Sequence, residues 1–69
     1  MDMVAVESSN IAAIGYDVNS SVLEIEFKNG SAYEYYDVPQ YEHDNLMGAE
    51  SKGKYANAYI YKRYRQQKI

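Results

Sequence analysis

Residues 22–39 read VLEIEFKNGSAYEYYDVP, and the register of this stretch decides which side chains can form a core. Leu23, Ile25 and Phe27 alternate with Glu24, Glu26 and Lys28, the period-2 pattern of a strand with one buried face. Asn29-Gly30 is a strong hairpin signal, and SAYEYYDV returns as the partner strand. Two registers are open. A two-residue turn at Asn29-Gly30 pairs Ile25 with Glu34, points Glu34 at the core and leaves Tyr33 and Tyr35 outside. A three-residue loop of Lys28, Asn29 and a left-handed Gly30 pairs Ile25 with Tyr33 and Leu23 with Tyr35. One residue of slip turns over every side chain. An unpartnered buried carboxylate costs roughly several kcal/mol, so the three-residue loop is expected, with Tyr33 and Tyr35 mainly in the core. The same register sets Glu34 across from Glu24, with Glu26 nearby, a like-charge cluster that is mildly destabilising unless a basic segment of this or a neighbouring chain covers it.

Upstream, MVAVE (3–7) alternates as a short edge strand, SSN favours a turn, IAAIGYD (11–17) is a second strand, and VNSS joins it to the hairpin. Downstream, Pro39 suits the first turn of a helix over PQYEHDNLMGAE (39–50), with Asp37 or Val38 near the cap position. Glu42 and Asp44 lie early in that helix, where the macrodipole favours carboxylates, and Gly48 weakens its far end. SKGK (51–54) is read as a break. A second helix is expected from Tyr55 to about Gln66, with Ala56, Tyr59, Ile60 and Tyr64 on one face and Tyr61, Lys62, Arg65 and Lys68 on another. The expected fold is therefore α+β: one domain over residues 1–69, with a three- to four-stranded antiparallel meander followed by one or two helices. The last of these is basic and tyrosine-rich.

The chain has 69 residues and no cysteine. A domain this small buries only about 60% of the surface its unfolded chain exposes, and disulfides are ruled out, which makes oligomerisation a natural support. A single histidine and no cysteine exclude the usual zinc spacings, and the carboxylates do not form a calcium loop. No segment has the length of a membrane span or the pattern of a signal peptide, so a cytoplasmic protein is expected, in the host cytoplasm where a phage encodes it.

The stretches SSNIAAIGYD, LEIEFKNGSAYEYYDVP and LMGAESKGKYANAYI resemble the KTSC domain, a module of about this length named after the C-terminus of some lysyl-tRNA synthetases. Tyr33, Tyr35, Val38 and Pro39 match its central Y-x-Y-x-x-V-P, and Ser51, Lys52 and Gly53 its S-K-G. The resemblance implies a small α+β domain, often free-standing in bacteria and phages, with an RNA-binding role and no enzymatic activity. Relatives often carry Phe-Asn and then Ile-Arg near the end, where this chain has Ala56-Asn57 and Ile60-Tyr61. A phosphate contact made by that arginine would fall here to Lys62, Arg63 or Arg65.

Charge is strongly divided. Residues 1–50 carry all ten carboxylates and one base, Lys28, whereas residues 51–69 carry six bases and no acid. No nucleotide-binding glycine motif, nucleophile elbow or supported Ser/His/Asp set occurs, and no cofactor is expected. His43 is read as a partly buried or surface histidine, since its neighbour Asp44 would point away on a helix. Tyr55, Tyr59, Tyr61 and Tyr64 are interspersed with bases, the composition of a surface that stacks nucleobases and neutralises phosphates. The plainer reading, in which Tyr59 and Tyr64 pack the helix onto the sheet and the bases are solvated, stands beside it. A long duplex would meet the acidic part, whereas a short ligand would not.

The leading expectation is a non-catalytic homo-oligomer that sequesters a small oligonucleotide signal, in its most specific form a cyclic one, as a phage anti-defence sponge would. Its bases would stack on Tyr55, Tyr59 or Tyr61, and its phosphates would meet Lys54, Lys62, Arg63 or Arg65. An RNA-binding module and a protein interaction module docking on an acidic partner are the alternatives. One protomer leaves little room for a pocket, so the site is expected between chains.

Overall fold

The computed structural model describes all 69 residues. Five strands, β1 (Met3–Ala5), β2 (Ile11–Asp17), β3 (Val22–Phe27), β4 (Ala32–Tyr35) and β5 (Gln66–Lys68), form one antiparallel sheet in sequential order. Two helices, α1 (Gln40–Gly48) and α2 (Lys52–Tyr59), intervene between β4 and β5. The expected meander is present, with more strands than the sequence suggested.

The β3–β4 hairpin adopts the three-residue loop. Ile25 pairs with Tyr33, Leu23 with Tyr35 and Glu24 with Glu34. Phe27 N–H donates to Ser31 O at 2.8 Å, and Gly30 has φ +92°, a left-handed conformation that costs glycine no side-chain clash. Tyr35 is 2% exposed, whereas Tyr33 is only partly buried, against Phe27 and Tyr35.

Ile11 and Ile14 are both fully buried although three residues apart, a spacing that an unbroken strand would split between faces. The register shift between Ile11 and Ala13 resolves this: Ile11 faces Phe27 while Ala13 faces Glu26, so the bulge returns Ile11 to the core side. Leu46 of α1 and Ala56 and Ile60 at the end of α2 close over this face, with Val38 between sheet and helices. Both backbone polar groups of Val38 are bonded: its N–H donates to Ser21 O at 2.9 Å, and its carbonyl accepts from the Tyr16 hydroxyl at 2.6 Å.

Three local expectations are corrected. The N-cap of α1 is Pro39 itself, in an extended conformation and without a side-chain cap bond, not Asp37 or Val38. Its missing N–H costs nothing at a helix start. SKGK is not a break: Ser51 caps α2 by accepting from Lys54 N–H at 3.4 Å, and Lys52–Lys54 form its first turn. The second helix ends at Tyr59, not near Gln66, so Tyr61, Lys62, Arg65 and Lys68 share no helical face. The chain turns after Ile60 because β4 has an edge of unpaired backbone groups to satisfy, and Gln66–Lys68 pair with Tyr33–Tyr35. This chain's own tail therefore covers the carboxylate cluster in part. Gln67 lies opposite Glu34, and the Tyr36 hydroxyl donates to Glu34 Oε1 at 3.1 Å.

Candidate nucleic-acid interface

The loop between β1 and β2 is organised by Ser8, whose hydroxyl oxygen accepts from the N–H of Ile11 at 3.2 Å and whose O–H donates to Asn10 Oδ1 at 3.2 Å. Asn10 O in turn accepts from Lys28 N–H at 2.9 Å, tying this loop to the β3–β4 turn. The first turn of α2 comes up against the other side of Asn10. A Cβ at Gly53 would sit 2.9 Å from Asn10 Oδ1, so the glycine of Ser51-Lys52-Gly53 permits a close approach between helix and loop. Lys52 meanwhile donates from Nζ to Ala49 O at 3.2 Å and secures the α1–α2 connection.

Two open hollows flank this contact and share Ser9 and Asn10. One, about 440 Å³, is lined by these two residues with Ser51, Gly53, Lys54 and Asn57. The other, about 300 Å³, adds Phe27, Lys28 and Asn29. Neither lining contains a carboxylate, although the chain is acidic overall. Hydroxyls, amides, backbone N–H groups at a helix start and one lysine on each side are donors suited to phosphate oxygens. A single protomer thus has more concave surface than the sequence suggested. Gly53→Ala is expected to displace the Asn10 side chain while leaving the melting temperature within a few degrees, since the higher helix propensity of alanine, up to about 1 kcal/mol, offsets the crowding. An amide NMR spectrum reads both; an unmoved Asn10 side-chain signal would contradict the close approach.

The residues expected to bind ligand do not converge on one place. Lys54 lines the larger hollow. Tyr61 belongs to the core, its ring centroid 6.0 Å from Phe27 and 6.1 Å from Tyr35, and its buried hydroxyl has no hydrogen-bond partner. Burial pushes its pKa up. Arg65 lies over the Tyr36 ring at 5.3 Å, beside the sheet. Lys62 and Arg63 are exposed in the turn after α2. No lysine or arginine forms an ion pair, and His43 Nδ1 lies 3.5 Å from Asp44 Oδ1. That contact corrects the expectation that the two side chains diverge; His43 is otherwise a partly buried histidine stacked on Tyr16 at 4.9 Å and 10°.

Tyr55 and Tyr64 meet at a group the sequence placed early in the first helix, where the macrodipole favours a carboxylate. Glu42 is 4% exposed, with no cation beside it, and its two carboxylate oxygens accept from the hydroxyls of Tyr55 and of Tyr64, the latter at 3.0 Å. Burial and these bonds to a carboxylate raise both phenol pKa values, that of Tyr64 to about 12. Tyr59 packs on Tyr55 with ring centroids 4.7 Å apart and is 46% exposed. Tyr64 is packed, as the plainer reading expected, but from the turn beyond α2 and not from a helix face, whereas Tyr59 faces solvent. Asn10, Lys28, Asn57 and Glu42 were missed. For the loop and helix start the signal lay in SSN and SKG, which look like turn and break in isolation.

Similar proteins share this architecture. A crystal structure of a KTSC domain protein from Yersinia pestis superposes with a TM-score of 0.93 at 39% identity, covering 99% of this chain and 96% of that one. A protein from Tsukamurella paurometabola is 43% identical over 91% of this chain and 94% of its own length. A lysine-tRNA ligase from Nostoc punctiforme is 41% identical over 78% of this chain, a match that occupies 10% of the ligase. The KTSC domain itself matches residues 7–64, which takes in β2, β3, β4, both helices and Tyr64, with β1 and β5 on either side of the match. With sequence, register and three-dimensional match in agreement, the chain belongs to the KTSC domain family.

Proposed function

We propose that this protein is a non-catalytic binding module for a small oligonucleotide, held by its phosphates in the groove between the Ser9-Asn10 loop and the start of α2. The observation that carries the reading is the lining of this groove and of the hollow that adjoins it across Ser9 and Asn10: hydroxyls, amides, Lys54 in the groove and Lys28 in its neighbour, with no carboxylate, in a chain with ten carboxylates. Of the six bases of residues 51–69, Lys54 lines this groove and is free of any ion pair. With no reaction chemistry assigned to these residues, binding acts by sequestration. In its most specific form the protein is a homo-oligomeric sponge for a cyclic oligonucleotide signal. The accessible surface of 4401 Å² matches the roughly 4,400 Å² expected of a folded monomer of this mass, so assembly would join finished protomers rather than complete a core.

A second reading, an RNA-binding module, is favoured by the identity to lysine-tRNA ligases, whose name specifies a tRNA substrate. Native mass spectrometry separates the two, applied to the protein as purified and after mixing with mononucleotides, cyclic dinucleotides and short linear oligonucleotides. An oligomer holding a small nucleotide at fixed stoichiometry supports sequestration. A monomer that takes up only the longer RNAs moves the function to the second reading. In either case Lys28→Ala with Lys54→Ala is expected to weaken binding at low salt and to lower the slope of log affinity against log salt by about one per lysine. Unchanged affinity and slope would remove the groove as the site.

A further inference from the structure

We propose that the flank of α2 opposite the groove is a base-stacking surface, on which the exposed rings of Tyr59 and Tyr41 receive the nucleobases of a single-stranded oligonucleotide, with Arg63 beside them for its phosphates. This rests on the nucleotide reading above and narrows its ligand.

Four tyrosines from three separate segments gather here. Glu42 accepts the hydroxyls of Tyr55 and Tyr64, which fixes the Tyr55 ring from below, and Tyr59 lies against it at 4.7 Å with 41° between planes. Tyr41 directly precedes Glu42 on α1 and Arg63 directly precedes Tyr64, so both neighbour residues that the Glu42 carboxylate joins. Tyr41 is 63% exposed and Tyr59 46%, the two exposed tyrosines of the molecule. The ring of Tyr59 is therefore both solvent-facing and positioned by a packed neighbour. A surface that keeps its aromatic faces exposed but braced, next to cations without carboxylate partners, is matched by a flat, anion-bearing ligand, and a nucleotide supplies both features. An aliphatic partner finds little here, since the exposed aliphatic side chains Val4, Val18 and Ile69 belong to β1, the β2–β3 turn and the C-terminus.

Helix geometry then sets the ligand's size. At 100° per residue, Gly53 and Asn57 of the groove lie on one side of the buried Ala56 and Ile60, and Tyr55 and Tyr59 on the other. Lys54 and Ala58 are exposed between the two flanks, and Ala58 presents little bulk. A ligand touching both sites crosses a helix about 10–12 Å across, which at about 3.4 Å per stacked nucleotide takes roughly three to four nucleotides. A mononucleotide reaches one site only.

The test is fluorescence anisotropy at low salt with two labelled probes of eight units, oligouridylate and an abasic phosphodiester of the same length. Tyr59→Ala and Tyr41→Ala are expected to weaken oligouridylate binding by about fivefold to a hundredfold each while leaving the abasic probe unchanged, with Tyr59→Phe retaining the wild-type affinity. Both positions are exposed, so folding is expected to be unaffected, and a melting curve of each variant checks it. Wild-type affinity for oligouridylate in both alanine variants overturns the stacking surface and leaves the groove standing, as does equal weakening toward both probes. Failure of the wild type to bind either probe overturns the nucleotide reading together with it.

Discussion

Tyr35→Ala is expected to destabilise the domain by about 3–5 kcal/mol, the cost of removing a fully buried aromatic side chain and leaving its cavity. Tyr35 is 2% exposed, pairs with Leu23 across the β3–β4 hairpin and lies between the rings of Tyr33 and Tyr61. A 69-residue domain has a total stability of roughly 3.5–10 kcal/mol, so the loss consumes much of it and lowers the melting temperature by about 12–40 °C. Tyr35→Phe separates packing from hydroxyl chemistry. Burial raises the Tyr35 pKa, the mark of a phenol in apolar surroundings, so the phenylalanine variant should melt within a few degrees of the parent. Tyr33→Ala, at a partly buried ring, should cost less than Tyr35→Ala. Circular dichroism melts of the three variants check the order, and a Tyr35→Ala protein as stable as Tyr33→Ala would contradict the packing described.

That hairpin was readable in advance because its alternatives differed by a large energy. Slipping one residue would have buried Glu34, and the cost of an unpaired charge exceeds anything a turn preference can offset. The same logic does not reach Gln66–Lys68. Nothing in QQK favours a strand, and in the sequence the helical spacing continues from Ala56 through Ile60 to Tyr64. The strand exists because β4 would otherwise leave its outer edge unpaired, a demand set by residues about 30 positions earlier.

The groove was illegible for a related reason. Asn10 and Gly53 are ordinary turn residues on their own, and their meaning lies in an approach across 43 residues of chain so close that a Cβ at Gly53 would sit 2.9 Å from Asn10 Oδ1. The charge division was plain in the sequence, but it could not show that the bases would be dispersed: Lys54 at the groove, Arg63 near Tyr64, Arg65 over Tyr36. Composition therefore showed that charge is divided along the chain and not how it is distributed in space.

Glu42 is where local reading failed most fully, and it carries the other large expected effect. Early in a helix a glutamate is favoured by the macrodipole while exposed, yet this one is 4% exposed with no cation to balance it. Its partners, Tyr55 and Tyr64, lie 13 and 22 residues away and appear only once α1 and α2 pack. Hydrogen bonds to an ionised acceptor contribute about 1.5–3 kcal/mol each, set against the cost of burying the carboxylate. Glu42→Ala is therefore expected to destabilise by about 2–4 kcal/mol, and Glu42→Gln, which keeps one acceptor and the side-chain volume, by less. Alkaline titration tests the same unit from the phenol side. The folded-state pKa values of Tyr55 and Tyr64 are raised above the ordinary value of 10.0, that of Tyr64 to about 12, so the fold favours their protonated forms. Their contribution is fully present below the unfolded pKa near 10 and is lost as pH rises through the raised folded-state values, about 12 for Tyr64. In urea unfolding followed from pH 8 to 12, the parent's midpoint is expected to hold to about pH 10 and then fall. With the carboxylate gone, Glu42→Gln should fall less steeply, because the neighbouring negative charge that holds the phenols protonated is absent. Parallel pH profiles in the two proteins would mean that burial alone governs these tyrosines and that the buried carboxylate is not what binds α1 to α2 and the turn beyond it.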